Sequence, residues 1–196
     1  ASSALRLLAL ELTRICNDLR LLASGPTTGF AEIVLPAVQP GSSIMPGKVN
    51  PSMPEMLNMV CCQVIGNDLT VSMAVQAGQL ELNVMMPVMA YNVHQSIEIL
   101  KNAIRVFVDR CVVGIVADAT RCRRYAENSM ALATALNMYI GYARAAEVVK
   151  RAVREQKTII DVVREEKLLP EAQIAQILAP VKLTEPGLPG KLDESS

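Results

Sequence analysis

The chain has 196 residues, with 19 Lys+Arg against 19 Asp+Glu and a formal net charge of zero, and its pI is near 6.8. Nucleic acid and anionic membrane are therefore poor candidates for a main partner, since both select a basic excess. Hydrophobic residues reach 51% with only 3% aromatics and no Trp, and mean hydropathy is +0.29, a balance that suits helix packed on helix and leaves apolar surface for a partner subunit to cover.

Residues 3–22, SALRLLALELTRICNDLRLL, place Leu5, Leu8, Leu12, Ile15, Leu19 and Leu22 at alternating steps of three and four, which predicts an amphipathic helix. Ser24-Gly25-Pro26 stops it. Residues 25–54 hold Pro26, Pro36, Pro40, Pro46, Pro51 and Pro54 with four glycines, so no long helix runs through them. A connection of that length in a compact domain points to function or to disorder. Helical spacing resumes after Pro54, through Met56, Met59, Val60, Val64, Ile65, Leu69, Val71 and Met73.

A further helical stretch is predicted over 81–111, where Pro87 calls for a kink or a displaced helix start. Both stretches are apolar on more than one side, which places them in the middle of a bundle. From 114 the pieces are shorter: 118–136, 141–156, 158–167 and 170–178. Thr158 and Asp161 make a capping pair, Pro170-Glu171 opens a helix, and 183–196 reads as an irregular tail. Strand-like alternation is weak everywhere. The expected fold class is all-α, with a long-helix unit over 1–113 and a small helical unit over 114–196, without internal repeats.

No apolar run approaches the roughly 20 residues of a membrane span, and no basic-then-apolar leader with a cleavage site opens the chain. The expectation is a cytoplasmic protein with no membrane partner. Cys16, Cys61, Cys62, Cys111 and Cys122 form no CxxC pair and lie near no histidine cluster, so buried reduced thiols are expected, without a metal site. His94, the sole histidine, is assigned to packing or an interface, and Arg121, Arg123 and Arg124 to a solvated face with Glu127. Met53, Met56 and Met59 read as core filler.

The segment that chemistry singles out is 40–51, PGSSIMPGKVNP, with Ser42 and Ser43, one cation at Lys48 and a polar amide at Asn50. A serine acts as base or nucleophile only when its alkoxide is stabilised. No histidine is at hand, but the backbone N–H groups around Gly41, Ser42 and Ser43 with Lys48 alongside can hold an anion. On the residues alone a solvated loop is the simpler account.

The identity of the letters goes further. Residues 41–51 match the signature GSSxMPxKxNP at every fixed position and so resemble the aspartase/fumarase superfamily. ICNDLRLLASGP before it, IGNDLTV and GQLELNV after it, and ALNMYIGY with AAEVVKRA toward the C-terminus resemble their counterparts in that family. The resemblance implies a lyase that removes a proton and an amine or hydroxyl across a carbon–carbon bond to give fumarate, with no cofactor and no metal. It assigns Ser42 as the base, and Lys48, Asn50 and Ser43 as groups that bind the substrate carboxylate. Gly41 and Met45 support the mobile loop, and Glu55 corresponds to a glutamate that hydrogen-bonds a histidine from another part of the site.

The resemblance also implies a homotetramer built on a central helix bundle, with each site drawn from three subunits, acting on a small dicarboxylate. Family members are more than twice this length, so the chain reads as a C-terminal fragment that turns over little by itself. Thr27 stands in SGPTTGFAE where relatives commonly carry Arg. PSMPEMLNMV, GQLELNVMMPV and EPGLPGK are more similar to aspartate ammonia-lyases than to class II fumarases. Aspartate deamination is therefore preferred, a fumarase is the alternative, and a purely structural helical assembly module is a third reading, distinguished by a stable tetramer without turnover.

Overall fold

The computed structural model describes residues 1–187. It divides into two compact units, Ala1–Asp118 and Ala119–Ser196. Part of the predicted tail, from 188 onward, lies outside the described residues.

The first unit contains three long helices, α1 (Ser2–Leu22), α2 (Ser52–Gln76) and α3 (Met86–Arg110). α2 packs along both of the others, while α1 and α3 barely meet. Its core joins Ala9 and Cys16 of α1 to Leu57, Cys61 and Val64 of α2 and to Leu100, Ala103 and Phe107 of α3. The inward seam of α1 differs from the predicted leucine face. Leu5, Leu12 and Leu19 do pack inward, but between them lie Ala9 and Cys16, both fully buried, while Leu8 and Ile15 are 43% and 41% exposed. Small side chains at 9 and 16 let α1 approach closely, and the bulkier neighbours rotate outward.

α2 starts at Ser52, ahead of Pro54, which is tolerated because the first-turn N–H groups have no intrahelical partner. α3 starts at Met86, so Pro87 marks a displaced start with the proline in the first turn. Asn83 spans the junction between them. Its amide donates to the Ala74 and Val75 carbonyls at 3.0 and 3.3 Å, and its Oδ1 accepts from Met85 N at 2.8 Å.

A buried polar layer links α2 to α3. Asn67, 3% exposed, donates to Gln95 Oε1 and Ser96 Oγ, both at 3.0 Å, and accepts from Gln63 at 2.8 Å. Asp68 ties α1 to α2, accepting from Ser2 Oγ at 2.5 Å and forming an ion pair with Arg6, Nε to Oδ2 at 2.8 Å.

Two short strands, β1 (Ile33–Val34) and β2 (Val116–Ala117), pair antiparallel with Ile33 opposite Ala117 and Val34 opposite Val116. The sequence reading contains no strand, because two residues are too few for period-two alternation to register. Asp118 N extends the pairing to Glu32 O at 2.8 Å. The pairing holds the front of the 25–54 connection to the segment after α3, and Pro36 packs on Gly114, where a Cβ would lie 2.5 Å from the proline ring.

The second unit contains α4 (Ala119–Glu127), α5 (Ala133–Ile140), α6 (Tyr142–Glu155), α7 (Ile159–Glu165) and α8 (Glu171–Ile177). The predicted single piece over 118–136 is broken at Ser129, whose side chain accepts from Ala131 N and caps a 3-10 turn, Met130–Leu132. Thr158 and Asp161 form a reciprocal capping box at α7. Leu136, Val148, Ile159, Val162, Val163, Ile177 and Leu178 form the unit's dry centre. Arg144 and Arg151 reach from α6 to Glu165 and Glu166, at 2.6 to 3.0 Å.

Three of the five thiols are buried as expected, but Cys62 is exposed and Cys122 half-buried. Cys61 and Cys62 diverge by about 100° on α2, so one faces the core and the other solvent. His94 is exposed on α3, so it does not pack in this unit. Among the described residues no helix is long and apolar enough to cross a membrane.

Candidate active site

Residues 40–51 leave the second half of the long connection and run directly into α2. The stem of this loop is closed by backbone. Gly41 N donates to Lys48 O at 2.9 Å, and Asn50 Nδ2 donates to Gly41 O at 2.7 Å. Glycine is required at 41 for space: a Cβ would lie 2.3 Å from Lys48 O and 2.7 Å from Lys48 C. Gly47 turns the tip with φ +77°, where a residue without a Cβ is unstrained.

Ser42 stands at the entrance to the tip. Its Oγ accepts from two successive backbone N–H groups, Ile44 at 3.2 Å and Met45 at 3.1 Å. Met45 O in turn accepts from Lys48 N at 3.3 Å. A hydroxyl oxygen that receives two N–H donors has its ionised form favoured, because each bond becomes charge-assisted when the proton leaves. Neutral donors suit this purpose in a chain whose single histidine is elsewhere.

Ser43, Met45 and Lys48 are exposed on the same tip, and no ion pair engages the Lys48 ammonium among the described residues. A concavity of about 450 Å³ opens against Gln39, Gly41, Ser42, Met45 and Lys48. A second, of about 870 Å³, lies behind the stem against Ile33, Leu35, Pro36, Asn50 and Val116, and shares Gly47, Lys48 and Val49 with the first. The apolar walls and few polar groups of this pair are the setting in which a small anion is held by specific donors.

Glu55 lies in the first turn of α2 and pairs with Arg20 of α1 at 3.9 Å. Asn17 Oδ1 accepts from Arg20 at 3.3 Å and from Asn58 at 2.9 Å, so the ends of α1 and α2 are joined beside the loop. Thus Gly41, Ser42, Ser43, Met45, Lys48 and Asn50 share one loop, with Glu55 on the helix it enters. Sequence reasoning missed Gln39 and Ser52, which bond to each other across the stem at 3.1 Å. An amide and a hydroxyl flanking a Ser/Gly/Pro segment carry no signal of their own. Among the described residues no group of three or more His, Cys, Asp or Glu side chains could hold a metal ion.

Long apolar helices carrying a serine loop held by backbone donors define an all-α fold with one polar loop set against its bundle. Comparison with known proteins agrees. The family described as Lyase matches residues 1–66, and Fumarase C C-terminus matches residues 132–185. Aspartate ammonia-lyase of Pseudomonas aeruginosa is 50% identical over 187 residues, covering 95% of this chain and 40% of the relative. That of Bacillus subtilis is 47% identical over 190 residues, with 97% and 40% covered.

Among solved structures, fumarate lyase:delta crystallin from Brucella melitensis superposes with a TM-score of 0.88 at 51% identity, covering 94% of this chain and 40% of that one. Class II fumarase from Schistosoma mansoni gives 0.89 at 41% identity, covering 94% and 39%. The chain belongs to the aspartase/fumarase superfamily, and its fold is all-α. It spans about 40% of the length of the curated relatives it matches.

Proposed function

We propose that these residues form part of an aspartate ammonia-lyase, which converts L-aspartate to fumarate and ammonia. The observation that carries the reading is Ser42 Oγ held by the Ile44 and Met45 N–H groups, with the Lys48 ammonium on the same tip. The Ser42 alkoxide takes the Cβ proton of aspartate. The electron pair of that C–H bond moves first onto the neighbouring carboxylate, which becomes a dianionic aci-carboxylate. It then forms the carbon–carbon double bond as the C–N bond breaks and ammonia departs. Lys48 and Asn50 bind the carboxylate on which the second charge accumulates, where a positioned donor lowers the barrier most. Ser43 adds a further donor, and Ser42 later returns its proton to solvent.

The leaving amine, the second carboxylate and the partner of Glu55 need groups beyond those gathered here. This fits a chain that covers 40% of its relatives. We further propose a cytoplasmic homotetramer in which α1–α3 are buried. Leu7, Leu10, Leu21, Met59, Leu69 and Met73 are all more than 40% exposed on these helices, a density of apolar surface that other copies of the bundle would cover. Light scattering on the purified protein tests the assembly.

The likeness to the Schistosoma fumarase keeps malate dehydration as a second reading. Ultraviolet absorbance of fumarate separates the two when the full-length protein that carries these residues is given aspartate or malate. Fumarate from aspartate alone, lost in Ser42→Ala with the assembly intact, is the expected result. Fumarate from malate alone would replace the substrate, and full activity in Ser42→Ala would remove the serine mechanism.

A further inference from the structure

We infer that Gln39 and Ser52 form a latch that positions Ser42, an assignment that rests on the lyase reading for its catalytic consequence but not for its existence. The bonds made by the loop tip close within the tip: Ile44 N and Met45 N to Ser42 Oγ, and Lys48 N to Met45 O. What holds Ser42 relative to the rigid helix α2 therefore passes through the stem. The stem has an inner rung, Gly41 N to Lys48 O with Asn50 Nδ2 to Gly41 O, and an outer rung, Gln39 Nε2 to Ser52 Oγ at 3.1 Å.

The two rungs differ in kind. The inner rung is made by backbone and by Asn50, and the proposed reaction asks Asn50 to turn an amide hydrogen to the substrate carboxylate as well. An amide nitrogen carries two hydrogens, so one can stay on Gly41 O while the other binds substrate. The reaction asks nothing of the outer rung. Gln39 and Ser52 lie on either side of the loop, and Ser52 is the first residue of α2. Ser52 N also donates to Asn50 O at 2.8 Å, so the same residue holds both the Gln39 side chain and the segment bearing Asn50. The latch thereby transfers the position of the helix start to Gly41 and, one residue on, to Ser42. Gln39 and Ser52 are positioning residues: they act through the stem and touch no reacting atom.

A neutral, solvent-facing hydrogen bond of this kind is worth about two- to tenfold in the equilibrium it controls. The test uses Gln39→Leu, Ser52→Ala, their double variant and Gln39→Glu in the full-length protein. Gln39→Glu can still accept from the Ser52 hydroxyl. Two readouts are taken. The first, independent of any activity, is the rate of trypsin cleavage after Lys48, followed by mass spectrometry. The second is kcat and KM for fumarate formation.

Each single variant is expected to raise the cleavage rate and lower kcat by about two- to tenfold, with KM within about twofold of wild type. The double variant should match the worse single variant, since both remove one bond, and Gln39→Glu should restore most of the loss. Wild-type cleavage rates in Gln39→Leu and Ser52→Ala would overturn the latch. Faster cleavage with unchanged kcat would overturn its positioning role. A wild-type protein that yields fumarate from neither aspartate nor malate would remove the lyase reading and with it the positioning role, and the cleavage rates would still decide the latch.

Discussion

Gly41→Ala sets a methyl group against backbone, where nothing can rotate aside. The ideal Cβ would lie 2.3 Å from Lys48 O, 2.7 Å from Lys48 C and 3.0 Å from Asn50 N. An ordinary contact begins near 3.4 Å, so one strand of the stem must move by about 1 Å to relieve the closest approach. That movement removes two bonds, Gly41 N to Lys48 O at 2.9 Å and Asn50 Nδ2 to Gly41 O at 2.7 Å. Overpacking costs about 1–3 kcal/mol, and each of the two bonds about 0.5–1.5 kcal/mol. The stem therefore shifts toward its open form by about 2–6 kcal/mol, roughly 30- to 20,000-fold. The core of this unit is built elsewhere, on Leu57, Cys61, Val64 and Phe107, so its melting temperature should barely move. Peptide-resolved hydrogen exchange over 40–50 reads the opening, and fumarate formation should fall by at least the same order. Exchange within twofold of wild type in a folded Gly41→Ala protein would refute the close-packed stem.

Asn67→Ala should destabilise the first unit by about 1–3 kcal/mol in urea unfolding, because it strips three side-chain partners from a buried position and leaves Ser96 and Gln95 short of a donor. In the second unit, hydrogen bonds from Arg151 and then Lys157 hold the Glu155 carboxyl down to about 2 from its ordinary 4.5. A carboxyl depressed in the folded state stabilises fully above its unfolded value and loses that contribution as pH falls through the folded one. Thermal melts should accordingly decline from about pH 5 toward pH 2, and less steeply in 1 M salt, which screens exposed pairs. Burial pushes the Cys16 thiol up to about 11, with the Cys61 and Cys111 thiols adding to it, and burial raises Cys61 and Cys111 as well. Iodoacetamide at pH 8 should label Cys62 in the native chain and reach these three only after denaturation, as read by peptide mass.

The helices were legible because their cause is local. Spacing of apolar residues, the proline-rich interruption over 25–54 and the Thr158 capping pair all act within a few positions of chain. The loop was legible for a different reason. Composition left 40–51 as an ordinary solvated turn, and only the order of its letters, matched to a family signature, assigned its residues to chemistry. The leucine face of α1 was half misread, because periodicity identifies a stripe without saying whether Leu8 or Ala9 meets the neighbouring helix.

Sequence by itself determined that long helices flank a proline-rich connection and shorter ones follow, which segment carries Ser42, Lys48 and Asn50, and the family to which these belong. Only the tertiary structure decided that Ala9 and Cys16 form the α1 seam, that Ile33 and Val34 pair with Val116 and Ala117, and that two N–H groups converge on Ser42 Oγ. It likewise decided that Gln39 meets Ser52 across thirteen positions. The physical reason is range. Helix propensity and capping are settled over one or two turns, whereas a seam, a strand pair or a loop stem is chosen by which distant surfaces fit together, a comparison that a one-dimensional pattern does not contain.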